Sequence, residues 1–250
     1  MMKPVAILQN EATQGPGYLL DFMDAHDLPY RLVQVCHGDD VPTKASDFSG
    51  VVILGSSRSV NDNLPWINSE SALLAYALRA DIPVLGHCFG GQLLARSLGA
   101  EVHRNPRPHI GWGTVYAVSA QTAWLGEHTR FEAFHWHYES FSIPAKARRI
   151  LFGSHCLNKG FACGRHLGLQ CHLEVTEDII RSWCAEGDAE IVQWQKDSLT
   201  VQHSEDILRM MPARMPALRR VASSVYERWS HGLDRPRIHA LRTQHSISSR

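Results

Sequence analysis

Residues 85–99 read LGHCFGGQLLARSLG, and the order of residue types in this stretch decides the fold. An apolar run, Ile82 to Leu85, stops at Gly86; Cys88 follows, then Gly90 and Gly91, and then Leu93, Leu94 and Leu98 recur at helical spacing until Gly99. The pattern is that of a buried strand passing through a sharp turn into a helix, with a cysteine at the corner. Glycines flank such a corner because a side chain there would hold the neighbouring elements apart. A thiol at the corner also meets the positive end of the helix dipole and the unpaired first-turn N–H groups, both of which favour thiolate. A cysteine that merely filled core space would need no flanking glycines, so Cys88 is the candidate nucleophile.

Outward from this corner, the chain reads as strands alternating with helices. Pro4 to Gln9, Arg31 to Val35 and Gly50 to Leu54 are strand-like, continuous in apolar residues as doubly covered parallel strands are. Tyr18 to Ala25 and Asn68 to Ala80 read as the helices between, with Asn68 as the expected N-cap of the second. From Glu101 the texture changes. Val102 to His103, Gly113 to Ser119, Phe131 to His135 and Arg149 to Gly153 are short β-rich pieces, which predicts an antiparallel section. Thr176 is the expected N-cap of a helix reaching about Glu186, and a further helix is expected over Ala189 to Lys196. Ile207 to Leu233 is helical in pattern but expected to break at Pro212 and Pro216. The fold class this predicts is α/β: an open, mostly parallel sheet with helices on both faces and a short antiparallel β section.

Composition excludes several functions. Lys and Arg together number 25, equal to Asp and Glu, in 250 residues. Such a balance argues against a dedicated nucleic-acid or membrane-surface protein. No apolar run approaches membrane-spanning length and the N-terminus lacks a signal-peptide plan, so a cytoplasmic location is expected. Six cysteines fall in no C-x-x-C pair and read as reduced thiols. Local charge is uneven only near the end: Arg214 to Arg250 holds eight arginines against Glu227 and Asp234. That stretch reads as a solvated helix face and a basic tail.

In an open α/β sheet, ligands gather at the carboxyl ends of the strands. Two segments besides Cys88 fall there. Gly55 to Val60, GSSRSV, follows the third strand, and its small residues leave backbone N–H groups free to face an anion. This loop is one expected half of an oxyanion hole, and the N–H of Phe89 is the other. In LGLQCHLEVT, Leu167 to Thr176, a strand ends at Gln170, and His172 and Glu174 follow on one face of extended chain. Glu174 can then hold His172 in one tautomer with the other ring nitrogen facing outward, the base and orienter that a cysteine nucleophile requires. His135 and His137 in FHWHYESF also share a strand face, but no third ligand follows at metal-site spacing, so no metal is expected.

Cys88, His172 and Glu174 in this order make the chain resemble the class I, or triad, glutamine amidotransferases, the family that includes the glutaminase domain of GMP synthetase. Gly86, Cys88, Gly90 and Gln92 match the family's G-x-C-x-G-x-Q elbow; Gln170 to Glu174 match its Q-F-H-P-E signature with Cys171 and Leu173 as departures; Ile110 to Val115, IGWGTV, looks like a further family stretch. The resemblance implies a flavodoxin-like sheet, with residues 1–200 as the amidotransferase-like domain and 201–250 as a C-terminal helical extension and basic tail. It implies that Cys88 attacks the side-chain amide of glutamine, that the N–H groups of Ser56 and Phe89 hold the developing oxyanion, that His172 passes a proton to the leaving ammonia, and that Glu174 orients His172. Gly55 and Gln92, with His137, Tyr138 and Glu139, would line the substrate pocket, and no cofactor is called for. The family's loop G-G-P-x-S-V is here Gly55, Ser56, Ser57, Arg58, Ser59, Val60; a positive φ at Ser56 would strain a residue with a Cβ.

The implied partners are glutamine or another γ-glutamyl compound, a separate synthetase or acceptor protein, and a second copy of the chain; nucleic acid and membrane are not among them. Neither a P-loop nor an S-G-G-x-D-S loop occurs, so ammonia is expected to go to a separate acceptor. Two other readings are a γ-glutamyl hydrolase or peptidase using the same triad, and a non-catalytic binding protein on the same fold.

Overall fold

The computed structural model describes residues 2–118, 123–195 and 199–233. In chain order its strands are β1 (Val5–Gln9), β2 (Tyr30–Gln34), β3 (Gly50–Ile53), β4 (Val84–His87), β5 (Val102–Ala117), β6 (Arg130–Phe141), β7 (Arg148–Gly153), β8 (Gly160–Cys163) and β9 (His166–Leu169). They form a nine-stranded sheet in the order β2-β1-β3-β4-β9-β8-β7-β5-β6. The first five in that order pair in parallel, a doubly wound, flavodoxin-like arrangement, and the rest continue antiparallel.

Continuous apolar strands are explained by two covered faces. Val5, Ile7, Val52 and Leu85 join the core beneath α1 (Tyr18–Ala25), α4 (Glu177–Glu186) and α6 (Ser204–Ser230). Their chain neighbours Leu8, Val51, Ile53 and Val84 pack on the other side, under α2 (Pro65–Arg79) and α3 (Phe89–Ser97). A short α5 (Asp188–Gln195) follows α4. No helix among the described residues is long and apolar enough to cross a membrane.

Several expected boundaries are corrected. The second helix starts at Pro65, not Asn68, with Leu64 at its N-cap and proline in its first turn; proline's fixed φ and missing N–H suit that position better than asparagine's side chain suits the cap. Three of the β-rich pieces expected after Glu101 are parts of long strands: β5 has 16 residues and β6 has 12, paired from Val102↔Phe141 to Tyr116↔Arg130, with an irregularity between Arg104 and His109; the fourth, Arg149 to Gly153, is the short antiparallel β7. The polar and glycine positions between those pieces are absorbed because the ladder supplies their backbone partners. The helix expected to break at Pro212 and Pro216 runs unbroken through both. Both prolines lie on the exposed face, where the carbonyls left without donors can meet water, while Met211, Met215 and Leu218 bury the opposite face. Of the basic tail, residues 234–250 lie outside the described residues.

Candidate active site

Cys88 is held at φ 49°, ψ −108°, outside the usual regions for a residue with a Cβ. It joins β4 to α3, and its N–H donates to the carbonyl of Leu169 at 2.8 Å, tying the turn to β9. The flanking glycines permit this geometry. A Cβ on Gly90 would lie 2.0 Å from the Ile53 carbonyl oxygen, and one on Gly86 would lie 2.3 Å from the Gly90 backbone. The N–H of Phe89, the first residue of α3, is one of the helix-start donors without an intrahelical acceptor.

His172 and Glu174 come to the same sheet edge. The backbone N–H of His172 donates to the Phe134 carbonyl at 2.9 Å, and the Glu174 carbonyl accepts from the N–H of Tyr18 at 2.9 Å. These bonds anchor the segment from β6 on one side and α1 on the other. The ring Nδ1 of His172 lies 2.6 Å from Glu174 Oε1, both side chains buried. As Glu174 is ionised and accepts only, the proton sits on Nδ1 and Nε2 is the working nitrogen. Burial pulls the His172 pKa down, but the carboxylate of Glu174 and then the sulfur of Cys88 outweigh it and hold the imidazole at about 10. Burial pushes Glu174 up, and His87 and His172 overcome this and hold it well below the usual carboxylate range.

His87 is the residue that the sequence reading passed over. It sits beside the nucleophile, fully buried, with Nδ1 3.0 Å from Glu174 Oε2 and Nε2 3.4 Å from the Tyr226 hydroxyl. Glu174 is therefore flanked by an imidazole at each oxygen, and α6 reaches the site through Tyr226. Trp183 of α4 closes one side, its ring edge-on to His172 at 4.9 Å and its indole N–H donating to the Thr13 carbonyl at 2.8 Å.

The loop after β3 is organised by carboxylates. Glu11 Oε1 accepts from Ser56 Oγ (3.1 Å), Ser57 N (3.1 Å) and Ser57 Oγ (2.6 Å), and Glu139 accepts from Ser59 Oγ at 2.8 Å. Ser56 is not among the residues of positive φ, so serine at this position carries no left-handed strain. Ser56 to Ser59 and Cys88 line a cavity of about 480 Å³; Gly55 is not among its lining residues and lies buried behind the loop, where a Cβ would come 2.0 Å from Gln14 Oε1 and 3.3 Å from His172 Cε1. Of the residues expected at the pocket, Ser56, Cys88, Gln92, His137, Tyr138 and Glu139 line this cavity and Gly55 does not. Glu11, Gln14, Arg104, Trp136, Glu186 and Glu190 line it as well; nothing in their local spacing set them apart as pocket residues. Gln92 commits both amide hydrogens, to the Glu139 carbonyl at 3.1 Å and to Gln170 Oε1 at 3.2 Å, while Gln170 Nε2 lies 3.6 Å from Cys88 Sγ.

His135 and His137 do have a third imidazole beside them. His109, from β5, pairs directly across from His137, and one ring nitrogen of each of the three lies within 4.8 Å of the others. The space they enclose is taken by the ammonium of Lys159, so the group is not an open metal site.

The family model for glutamine amidotransferase class-I matches residues 26–182. A glutamine amidotransferase from Methylobacillus flagellatus superposes with a TM-score of 0.91 at 37% identity, covering 96% of this chain and 98% of that one. A glutamine amidotransferase from Thermotoga maritima gives 0.82 at 25% identity, covering 92% and 98%. The glutamine amidotransferase-like protein YfeJ of Salmonella typhimurium is 25% identical over 76% of this chain and 84% of its own length. The glutamine-hydrolyzing GMP synthase of Aeropyrum pernix is 33% identical over 55% of this chain, but the match spans only 26% of that enzyme. With the family model covering more than half of its length, this chain belongs to the class I glutamine amidotransferases.

Proposed function

We propose that the chain hydrolyses the side-chain amide of glutamine through a γ-glutamyl thioester on Cys88 and passes the ammonia to a separate acceptor. The sulfur of Cys88 adds to the amide carbon, and the oxygen takes up charge between the N–H groups of Ser56 and Phe89. His172, protonated at neutral pH, gives its Nε2 proton to the leaving nitrogen as the C–N bond breaks. Water then adds to the thioester while His172 takes its proton, the C–S bond breaks, and glutamate leaves. Glu174 keeps the imidazole in the required tautomer. Gln92, with both amide hydrogens committed, offers its oxygen to the amino-acid end of the substrate, and His137, Tyr138 and Glu139 form the wall beside it.

The observation that carries this reading is the buried His172–Glu174 pair, 2.6 Å apart, beside a cysteine held in a strained turn at an open cavity. The names of the GMP synthase relatives support glutamine as substrate and a synthetase as acceptor. The test is mass spectrometry of the protein after exposure to a diazoketone analogue of glutamine, with ammonia release from glutamine and amine release from other γ-glutamyl compounds measured in parallel. The expected result is one adduct, on Cys88, and ammonia release that Cys88→Ala abolishes with the fold unchanged. Parental turnover by Cys88→Ala would end the proposal, and release from the other compounds alone would move the assignment to a γ-glutamyl hydrolase.

A further inference from the structure

Lys159 is completely buried, and its polar contacts among the described residues are all imidazoles: His109 Nδ1 at 2.9 Å, His137 Nε2 at 3.0 Å and His135 Nδ1 at 3.3 Å. Its stem passes over Gly153, where a Cβ would lie 3.1 Å from the lysine Cε. Its backbone is pinned between β7 and the chain after β9, by bonds to Leu151 and Gln170. The geometry matches donors to acceptors one for one. An ammonium has three N–H groups, and a neutral imidazole offers one lone pair. Burial, and then the lysine's own charge, push the three histidines below their ordinary pKa, which keeps those lone pairs available.

The lysine therefore dictates tautomers. His109 and His135 must carry their proton on Nε2, and His137 must carry it on Nδ1. The Nδ1–H of His137 then donates to the Glu139 carbonyl at 3.0 Å, the same oxygen that accepts from Gln92, and the side-chain amide of Asn105, whose nitrogen is placed 3.3 Å from that Nδ1, must turn its oxygen toward the ring. In the opposite tautomer, a nitrogen lone pair would face that carbonyl oxygen at 3.0 Å and repel it. The Glu139 peptide would turn away, Gln92 would lose an acceptor, and the wall of the cavity would change shape.

We propose that Lys159 is a positioning residue for substrate binding: a cation supplied by the chain to a three-histidine basket, which sets His137 and through it the Glu139 carbonyl and the Gln92 amide. This rests on the reading of the cavity as the glutamine site. The basket has the donor set of a transition-metal site, and the lysine takes the place of the ion. The sequence gap that hid it is the distance from His109 to Lys159, which only the β8–β7–β5–β6 ladder closes.

The wild-type protein supplies the first test. Ring nitrogen NMR shifts should show His137 as the Nδ1–H tautomer with His109 and His135 as Nε2–H, all three neutral at pH 7; an Nε2–H His137 would overturn the proposal. The second test uses Lys159→Met, which keeps the apolar stem and removes the charge. Alkylation of Cys88 by the diazoketone analogue should show binding weakened about tenfold or more, with the rate at saturation changed much less. Alkylation of Cys88 by iodoacetamide, which needs no wall, should stay near the parental rate. Unchanged binding of the analogue by a folded Lys159→Met variant would overturn the proposal. Removing the stem as well, Lys159→Ala should take up one Co²⁺ with the visible absorption of a histidine-ligated ion, whereas the parent should not. Absence of uptake by the folded variant would count against the basket's being a cation site. Failure of the parental protein to react at Cys88 with the analogue would instead defeat the functional reading, leaving the tautomer measurement to judge the basket by itself.

Discussion

Glu174 holds two imidazoles at once, and that division of labour explains the electrostatics around the nucleophile. One oxygen serves His172 at 2.6 Å and the other faces His87 at 3.0 Å, so the carboxylate stays charged in a site that would otherwise neutralise it. The charge in turn keeps His172 protonated to about 10. Glu174→Gln preserves shape and removes charge. Burial then acts unopposed by the carboxylate, and the His172 titration followed by NMR should fall by several pH units, with turnover lower by roughly 10²-fold or more. An unmoved titration would show that the carboxylate is not the group holding the imidazole up. His172 and Glu174 were legible in the sequence because two-residue spacing puts them on one face. His87 was not, because its partners lie far along the chain, Glu174 in the segment after β9 and Tyr226 on α6, and its own neighbours are only the glycine and cysteine of the turn.

Among the elements, α6 contradicts its local sequence most plainly. Pro212 and Pro216 each remove an N–H, and a proline in a helix interior costs about 3 kcal/mol relative to alanine. The helix persists because burial of Ile207, Met211, Met215, Leu218, Val225 and Trp229 offsets that cost, at roughly 1.5–3 kcal/mol for each large apolar side chain. Pro212→Ala and Pro216→Ala should each stabilise the protein by about 1–3 kcal/mol, read as a higher urea midpoint at unchanged slope. Destabilisation by either would mean that the bend or the loss of chain entropy matters more than the restored donor. The elbow between β4 and α3 behaves in the opposite way: the glycine spacing that marks it in the sequence is the spacing that lets α3 lie against Ile53, so local pattern and tertiary contact agree.

For the molecule as a whole, stability is coupled to pH through a carboxyl outside the triad. Glu70, on α2, is fully buried, and burial raises its pKa to about 8, with a partial offset from Asn10. The sign follows from the raised value. The stability tied to its proton is complete below the ordinary 4.5 and is lost as pH rises through about 8. Glu70→Gln removes that dependence. The variant should match the parent near pH 4 and exceed it by about 3 kcal/mol at pH 7, measured by denaturant unfolding across that range. Equal stability at pH 7 would mean that the carboxyl is ionised in the folded state. Its helical spacing placed Glu70 on α2, but nothing local showed that this face turns inward.

The chain's own pattern determined the α/β class, the parallel half of the sheet, the nucleophile elbow and the His172–Glu174 pair. Each of these is encoded within a few residues, by apolar run length, by glycine spacing or by two-residue periodicity. The tertiary structure decided the long β5 and β6 strands, the continuous α6, His87 behind Glu174, the Glu11 brace on the serine loop and Lys159 among its histidines. Every one of these depends on groups far apart in the chain whose meeting is set by sheet order, and a buried charge or an unpaired carbonyl acquires its partner only when the strands are in register.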